Sequence, residues 1–140
     1  MILPILCVHH VRLPVSNLDR SLQWYGDLLG FERDYPILLD GVIRGWALKQ
    51  PQGPVSLVLM LDIDRAHQAN GFAYFSFALP DGVNLSYLER SLAQYNITDG
   101  TVATTQVGCK LLDVRDPDGH MIGLYTAEAW VQVSGRVQHV

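Results

Sequence analysis

The chain has little charge, little cysteine and no long apolar run. Charged residues make up only 17% of its 140 residues, and ten Lys and Arg are outnumbered by fourteen Asp and Glu. The net charge of -4 lacks the cationic excess that neutralises phosphates, so nucleic acid is not expected as a partner. No segment approaches the roughly 20 apolar residues that cross a bilayer. One of the longest runs, Val55 to Leu61, is interrupted by Ser56, and no membrane association is expected. The two cysteines, Cys7 and Cys109, stand outside any CxxC or metal-knuckle spacing. They read as buried free thiols in a reducing, cytoplasmic setting. The apolar opening Met1 to Leu6 has no basic stretch or cleavage site and reads as the lead into a strand.

What is present is a core. Hydrophobic residues are 49% of the chain, which excludes a disordered or fully solvated segment. A chain of this length buries about two-thirds of its unfolded surface and needs no disulfide or metal staple.

The sequence also repeats itself. Leu18-Asp19-Arg20-Ser21-Leu22-Gln23-Trp24-Tyr25 aligns with Leu88-Glu89-Arg90-Ser91-Leu92-Ala93-Gln94-Tyr95 at an offset of 70 residues, with five of eight pairs identical. Two amphipathic helices share Leu and Arg often, so the surroundings must match too. Strand-like alternation precedes each copy: Val11, Leu13 and Val15 in one, Phe75, Phe77 and Leu79 in the other. Asn17 can cap the first helix and Gly30 can stop it. In the second, Ser86 and Glu89 have capping-box spacing, although the helix can begin two or three residues earlier. Three strand-like segments follow each helix, near 31–38, 42–49 and 54–62, then near 101–107, 110–115 and 120–126. Asp40-Gly41, Pro51 to Pro54, Gly108 and Asp116-Pro117-Asp118-Gly119 break them.

The pattern is α+β: two βαβββ modules, 5–62 and 71–126, in one domain, with a polar linker 63–70 and a tail 127–140 carrying Trp130. Helices on one face of each mixed sheet leave the other face open, so the sheets are expected to curve around a concave ligand cavity. Modules this small cannot cover both sheet faces, so pairing into a homodimer is expected.

The run from His9-His10-Val11-Arg12-Leu13-Pro14-Val15 through Trp24-Tyr25 to Leu28-Leu29-Gly30-Phe31 resembles the opening of the vicinal oxygen chelate superfamily. Its members include glyoxalase I, bleomycin-resistance proteins, fosfomycin-resistance transferases and extradiol dioxygenases. Asp116-Pro117-Asp118-Gly119-His120-Met121-Ile122-Gly123-Leu124-Tyr125 resembles its closing turn and strand, so the likeness spans about residues 5–126. It implies paired βαβββ modules, commonly in a homodimer, and in the enzymes a divalent metal held by His and Glu. The three ligand positions fall on His10, Tyr74 and Gly123. The stretch Val55 to Leu61, where some members place a further ligand, has no carboxylate or imidazole. One imidazole does not hold a catalytic metal, which usually takes three protein ligands. No cofactor is therefore expected, a divalent metal being the alternative.

Alternation assigns the rest of the site. Arg12 shares a face with His10, and Ser76 with Tyr74. Asp113 and Arg115 point away from the core, and Tyr125 lies with Gly123. Trp46 is a candidate cavity wall, or equally a dimer-seam residue. Each has a plainer reading as well: His10 as a hydrogen-bonded remnant, Arg12 and Asp113 as an ion pair, and Tyr74 and Tyr125 as packing. His120, in a turn, is expected to be solvated.

Four functions fit. The favoured one is a metal-free small-molecule binding protein, serving drug sequestration or resistance. Trp46, Tyr74 and Tyr125 would stack a hydrophobic or aromatic ligand that His10, Arg12, Ser76 and Asp113 orient. The second is a metal-free lyase, isomerase or cyclising enzyme with His10 as base and Asp113 or Tyr74 as acid. The third is a glyoxalase-like or dioxygenase-like enzyme keeping a metal on unusual ligands such as His10 and Asp113. The last is a non-catalytic scaffold for dimerisation or regulation.

Overall fold

The computed structural model describes residues 1–80, 83–98, 100–104, 106 and 110–126. Cys109, Gly108 and the tail 127–140 with Trp130 lie outside these residues. The chain divides into two compact units, Met1–Ala69 and Asn70–Val140.

The first unit runs β1 (Val11–Val15), α1 (Leu18–Leu29), β2 (Glu32–Leu39), β3 (Val42–Lys49), β4 (Ser56–Leu61) and α2 (Ile63–Gln68). Its mixed sheet has the order β1-β4-β3-β2, with β1 parallel to β4 and the other pairs antiparallel. Pro14 falls on β1, an edge strand, where a missing N–H breaks no inner ladder. The Asn17 side chain accepts from the Arg20 N–H at 3.0 Å and caps α1. Gly30 then ends the helix with a left-handed φ of 71°, its N–H donating to the Gly26 carbonyl at 3.0 Å. Asn17→Ala is expected to cost about 1 kcal/mol, read as a lower urea midpoint with an unchanged slope. Between β2 and β3, Asp40 (φ 52°) and Gly41 (φ 76°) form the two-residue loop that matches the strand twist.

The core lies between α1 and one face of this sheet. Tyr25 and Leu22 of α1 are buried, and α1 packs on β4. Leu13 pairs with Leu59, and Leu59 with Trp46, so these three side chains share the helix-side face. The opposite face carries Arg12, Val58, Ala47 and Tyr35, paired in that order across the strands.

The second unit runs β5 (Ala73–Leu79), α3 (Leu85–Ala93), β6 (Ala103–Thr104), β7 (Lys110–Arg115) and β8 (Met121–Thr126). The sheet order β5-β8-β7-β6 repeats that of the first unit, again with the first strand parallel to the last. Phe75 and Phe77 pair with buried Ile122 and Leu124, which pair with buried Val114 and Leu112. The chain thus builds two βαβββ modules in the α+β class.

The polar linker 63–70 carries a helix of its own, α2: Asp62 caps it through the Arg65 N–H at 3.1 Å, and Ala66 is buried as α2 packs on β1. The cap of α3 is Asn84, which accepts from Tyr87 N–H, at the earlier start that the sequence left open. Two expectations need correction. The expected strand 101–107 contracts to Ala103–Thr104 among the described residues. Cys7 is exposed, not buried.

Candidate functional site

The second sheet gathers most of the expected residues. Across β5, β8 and β7, Ser76 pairs with Gly123 and Gly123 with Asp113, so the three stand abreast on the face opposite Ile122 and Leu124. One step along, Ala78, Tyr125 and Leu111 form the next row of the same face. Ser76 is exposed, Asp113 and Tyr125 are half-buried, and Gly123 is buried. The row spans roughly 10 Å at the usual strand spacing. It offers a hydroxyl, a carboxylate and a phenol around a strip with no side chain.

That strip is not empty space. A Cβ built on Gly123 would collide with the Ser76 Oγ and lie 3.1 Å from Ser76 Cβ and from Leu111 Cδ1. Gly123 does not have a left-handed φ, so its backbone would accept another residue and the obstacle is the Ser76 hydroxyl. The glycine provides no side-chain donor, and the Ser76 hydroxyl stands where its Cβ would be.

Tyr74 stands apart from this row. A bulge interrupts the ladder between Ala73 and Phe75, at Tyr74. Its ring packs edge-on against Phe72 at 4.8 Å and His120 at 5.9 Å between centroids. It remains 45% exposed.

His120 was expected to be solvated and is fully buried, at 0% exposure. The reason lies in the turn that carries it. One oxygen of the buried Asp116 carboxylate accepts from the N–H groups of Asp118 and His120, each at 2.9 Å. Gly119, with φ 80°, completes the turn by donating to the Asp116 carbonyl at 3.0 Å. The turn folds around its own carboxylate and draws His120 inward. The spacing Asp116-x-Asp118-x-His120 carried the signal, since an Asp at the head of a turn commonly accepts from amides two residues on.

The first unit holds the remaining expected residues, dispersed. His10 precedes β1 and is exposed; its Nδ1 lies 2.9 Å from that of His9, with the rings edge-on at 5.2 Å. Arg12 is exposed on the face away from α1. Trp46 lies on the other, helix-side face, half-buried, with the Arg33 guanidinium carbon 5.2 Å from its ring centre. Trp46 and Arg12 therefore cannot line one surface of this sheet. Arg33 is a partner of Trp46 that the sequence reading did not identify; only the β2–β3 register brings them together. Among the described residues, no group of three or more His, Cys, Asp or Glu is placed to hold a metal ion.

Duplicated βαβββ units with this strand order define a fold shared by lyases, transferases, dioxygenases and binding proteins. The sequence profile of the Glyoxalase/Bleomycin resistance protein/Dioxygenase superfamily matches residues 8–124, and the chain belongs to that superfamily. It is 23% identical over 120 residues to the metallothiol transferase FosB of Shouchella clausii (strain KSM-K16), covering 85% of this chain and 79% of the transferase. Among solved structures it is similar to lactoylglutathione lyase from Agrobacterium tumefaciens, at 19% identity and a TM-score of 0.66, covering 91% of this chain and 98% of that one. It is also similar to a glyoxylase/bleomycin resistance protein/dioxygenase domain from Frankia sp. EAN1pec, at 23% identity and a TM-score of 0.69, covering 87% and 92%. These structural likenesses concern the fold. No helix among the described residues is long and apolar enough to cross a membrane.

Proposed function

We propose that this protein binds a small hydrophobic or aromatic molecule without a resident divalent metal, as a sequestering or resistance protein. One observation carries the reading: the Ser76 hydroxyl occupies the space over Gly123. The residue that resemblance assigns to the Glu ligand has no side-chain donor, and the Ser76 hydroxyl takes the place beside it. Tyr74, at a second ligand position, has its ring against Phe72 and His120. His10 alone keeps a suitable donor, and a single imidazole is a poor site for a metal that usually takes three protein ligands. The set does not fit the metal, and no chemistry is routed through one.

Binding on the open face of the second sheet would use Tyr125 and Leu111 as apolar contacts, with Ser76 and Asp113 as polar anchors. Orienting polar groups beside an apolar wall is the usual composition of a ligand site. On the first unit's own sheet Arg12 and Trp46 lie on opposite faces, so Trp46 leaves the expected set. We also place the protein in the cytoplasm, on its free thiol Cys7, and infer that two copies pair.

Metal analysis of the purified protein, followed by dialysis against Mn²⁺ or Zn²⁺, is expected to give well under one metal per chain. A panel of flat aromatic compounds is then screened by thermal shift. A true ligand at a hundred times its Kd adds about 2.7 kcal/mol, a rise of several degrees. Asp113→Asn is expected to weaken that response. A stoichiometric metal that survives dialysis would overturn the reading in favour of a metal-dependent lyase, transferase or dioxygenase.

A further inference from the structure

Asn70-Gly71 is the one Asn-Gly pair among the chain's four asparagines, and it opens the second unit. An asparagine side chain can be attacked at its carbonyl carbon by the backbone nitrogen of the next residue. Glycine in that next place has no Cβ to shield the nitrogen or to restrict the turn toward a ring. Asn17, Asn84 and Asn96 are followed by Leu18, Leu85 and Ile97, whose branched side chains crowd the same approach. The Asn17 and Asn84 side chains are also held as helix caps. Asn70 is exposed.

Both reacting groups are held by one residue, Gly119. The Gly71 N–H donates to the Gly119 carbonyl at 2.9 Å. The Asn70 amide lies across the Gly119 Cα: a Cβ built there would stand 2.5 Å from Asn70 Oδ1, 2.7 Å from Cγ and 2.9 Å from Nδ2. Gly119 permits this contact because it has no side chain. Its own place is set by Asp116, whose carbonyl accepts from the Gly119 N–H. The Asp116 carboxylate accepts from the amides on either side, those of Asp118 and His120. While this turn is closed, the Gly71 N–H is engaged and the Asn70 amide rests on Gly119. Ring closure between them needs both released, which is a local opening of the Asp116 turn.

We propose that Asn70-Gly71 is a site of spontaneous deamidation, and that the Asp116 turn sets its rate. The Gly71 nitrogen gives its proton to hydroxide and bonds to Asn70 Cγ. The Cγ–Nδ2 bond then breaks, and Nδ2 leaves as ammonia with a proton from water. Water opens the resulting succinimide ring at either carbonyl, giving an aspartyl or an isoaspartyl residue at position 70. In sum one water is consumed and one ammonium leaves, and the chain gains one negative charge. The chemistry needs no oxidant, metal or enzyme. The new carboxylate joins a turn that already carries the buried carboxylates of Asp116 and Asp118. Like charges on one turn repel, so the modification loosens the turn that restrained it.

The full chain is incubated at pH 7 and at pH 9 and mapped by peptide mass spectrometry. A gain of one mass unit is expected at residue 70, with isoaspartate among the products and a faster rate at the higher pH. Conversion is expected to be roughly 10-fold or more slower in the folded chain than in guanidinium chloride, where no turn restrains the pair. Asp116→Asn is expected to convert faster than the native chain, and Asp116→Ala roughly 10-fold faster or more. Should the alanine variant not fold, the asparagine variant makes the comparison. Asn70→Gln, which would need a larger ring, is expected to stay unmodified. A residue 70 left intact in the folded chain, while it converts in guanidinium chloride, would overturn the site. Equal rates in the native chain and the Asp116 variants would overturn control by the turn. Conversion at Asn17, Asn84 or Asn96 as fast as at Asn70 would overturn the local chemistry. Asn70→Asp reproduces one product and is expected to speed hydrogen exchange at the Asp118 and His120 amides several-fold. Unchanged exchange there would refute the effect on the turn. None of these outcomes touches the ligand reading, which the thermal-shift screen tests separately.

Discussion

Gly123→Glu is expected to lower folding stability by about 1–3 kcal/mol. A side chain forced into a filled site displaces its neighbours at about that cost. Its carboxylate would stand off the open face beside Asp113, whose like charge adds to the penalty. The obstacle is Ser76, whose Oγ stands where the new Cβ must go, with Leu111 close behind. The smaller change Gly123→Ala isolates the steric part and is expected to cost about 1–3 kcal/mol, although alanine normally stabilises a strand relative to glycine. A double-mutant cycle with Ser76→Ala identifies the cause. In that background the alanine at 123 is expected to cost at least about 1 kcal/mol less, because the colliding oxygen is gone. Urea midpoints of the four proteins measure the cycle. An unchanged midpoint for Gly123→Ala would mean the space over β8 is open, and the case against a metal ligand there would lose its physical basis.

Asp116→Ala is the second large effect, expected at about 2–4 kcal/mol. Removing the carboxylate leaves the amides of Asp118 and His120 in a buried turn without their acceptor. Buried donors left unsatisfied cost about 1–3 kcal/mol each, and hydrogen bonds to a charged acceptor stand at the upper end. Asp116→Asn keeps an oxygen in the same place and is expected to cost clearly less. Hydrogen exchange gives a local reading: the amides of Asp118 and His120 should lose protection in the alanine variant before the strands do. Equal losses for the two substitutions would show that the charge and not the acceptor geometry holds the turn.

Local patterns in the chain announced the elements better than the faces. The helix from Leu18 to Leu29 was legible because both its signals are local, an Asn17 cap and a glycine in a left-handed conformation. The hairpin at Asp40-Gly41 was legible for the same reason. The helix Ile63–Gln68 was not, because six residues are too few to show a stripe and only Ala66 is buried. Trp46 shows the limit of alternation. Period two says that Arg44, Trp46 and Leu48 share a side, but which side depends on pairing with β4, more than ten residues away in sequence. His120 was misplaced because a turn sequence suggests water, whereas a turn wrapped on its own carboxylate excludes it. For the site itself, Ser76, Gly123, Asp113 and Tyr125 were legible as one surface, since alternation on three neighbouring strands agrees. The obstruction at Gly123 was not legible, because it depends on where one hydroxyl rotates.

The short helix after β4 has a bearing on how the protein is made. Among the described residues, the strands paired in the first sheet, and the helix that packs on β1 after its last strand, belong to residues before Asn70. A ribosome releasing the chain from its amino end therefore delivers a complete ladder before the second half has left the exit tunnel. The longest closure in that ladder joins Val11 to Leu57, and its counterpart joins Ala73 to Met121. Each half meets its own entropic cost of loop closure, and neither must wait for strands from the other.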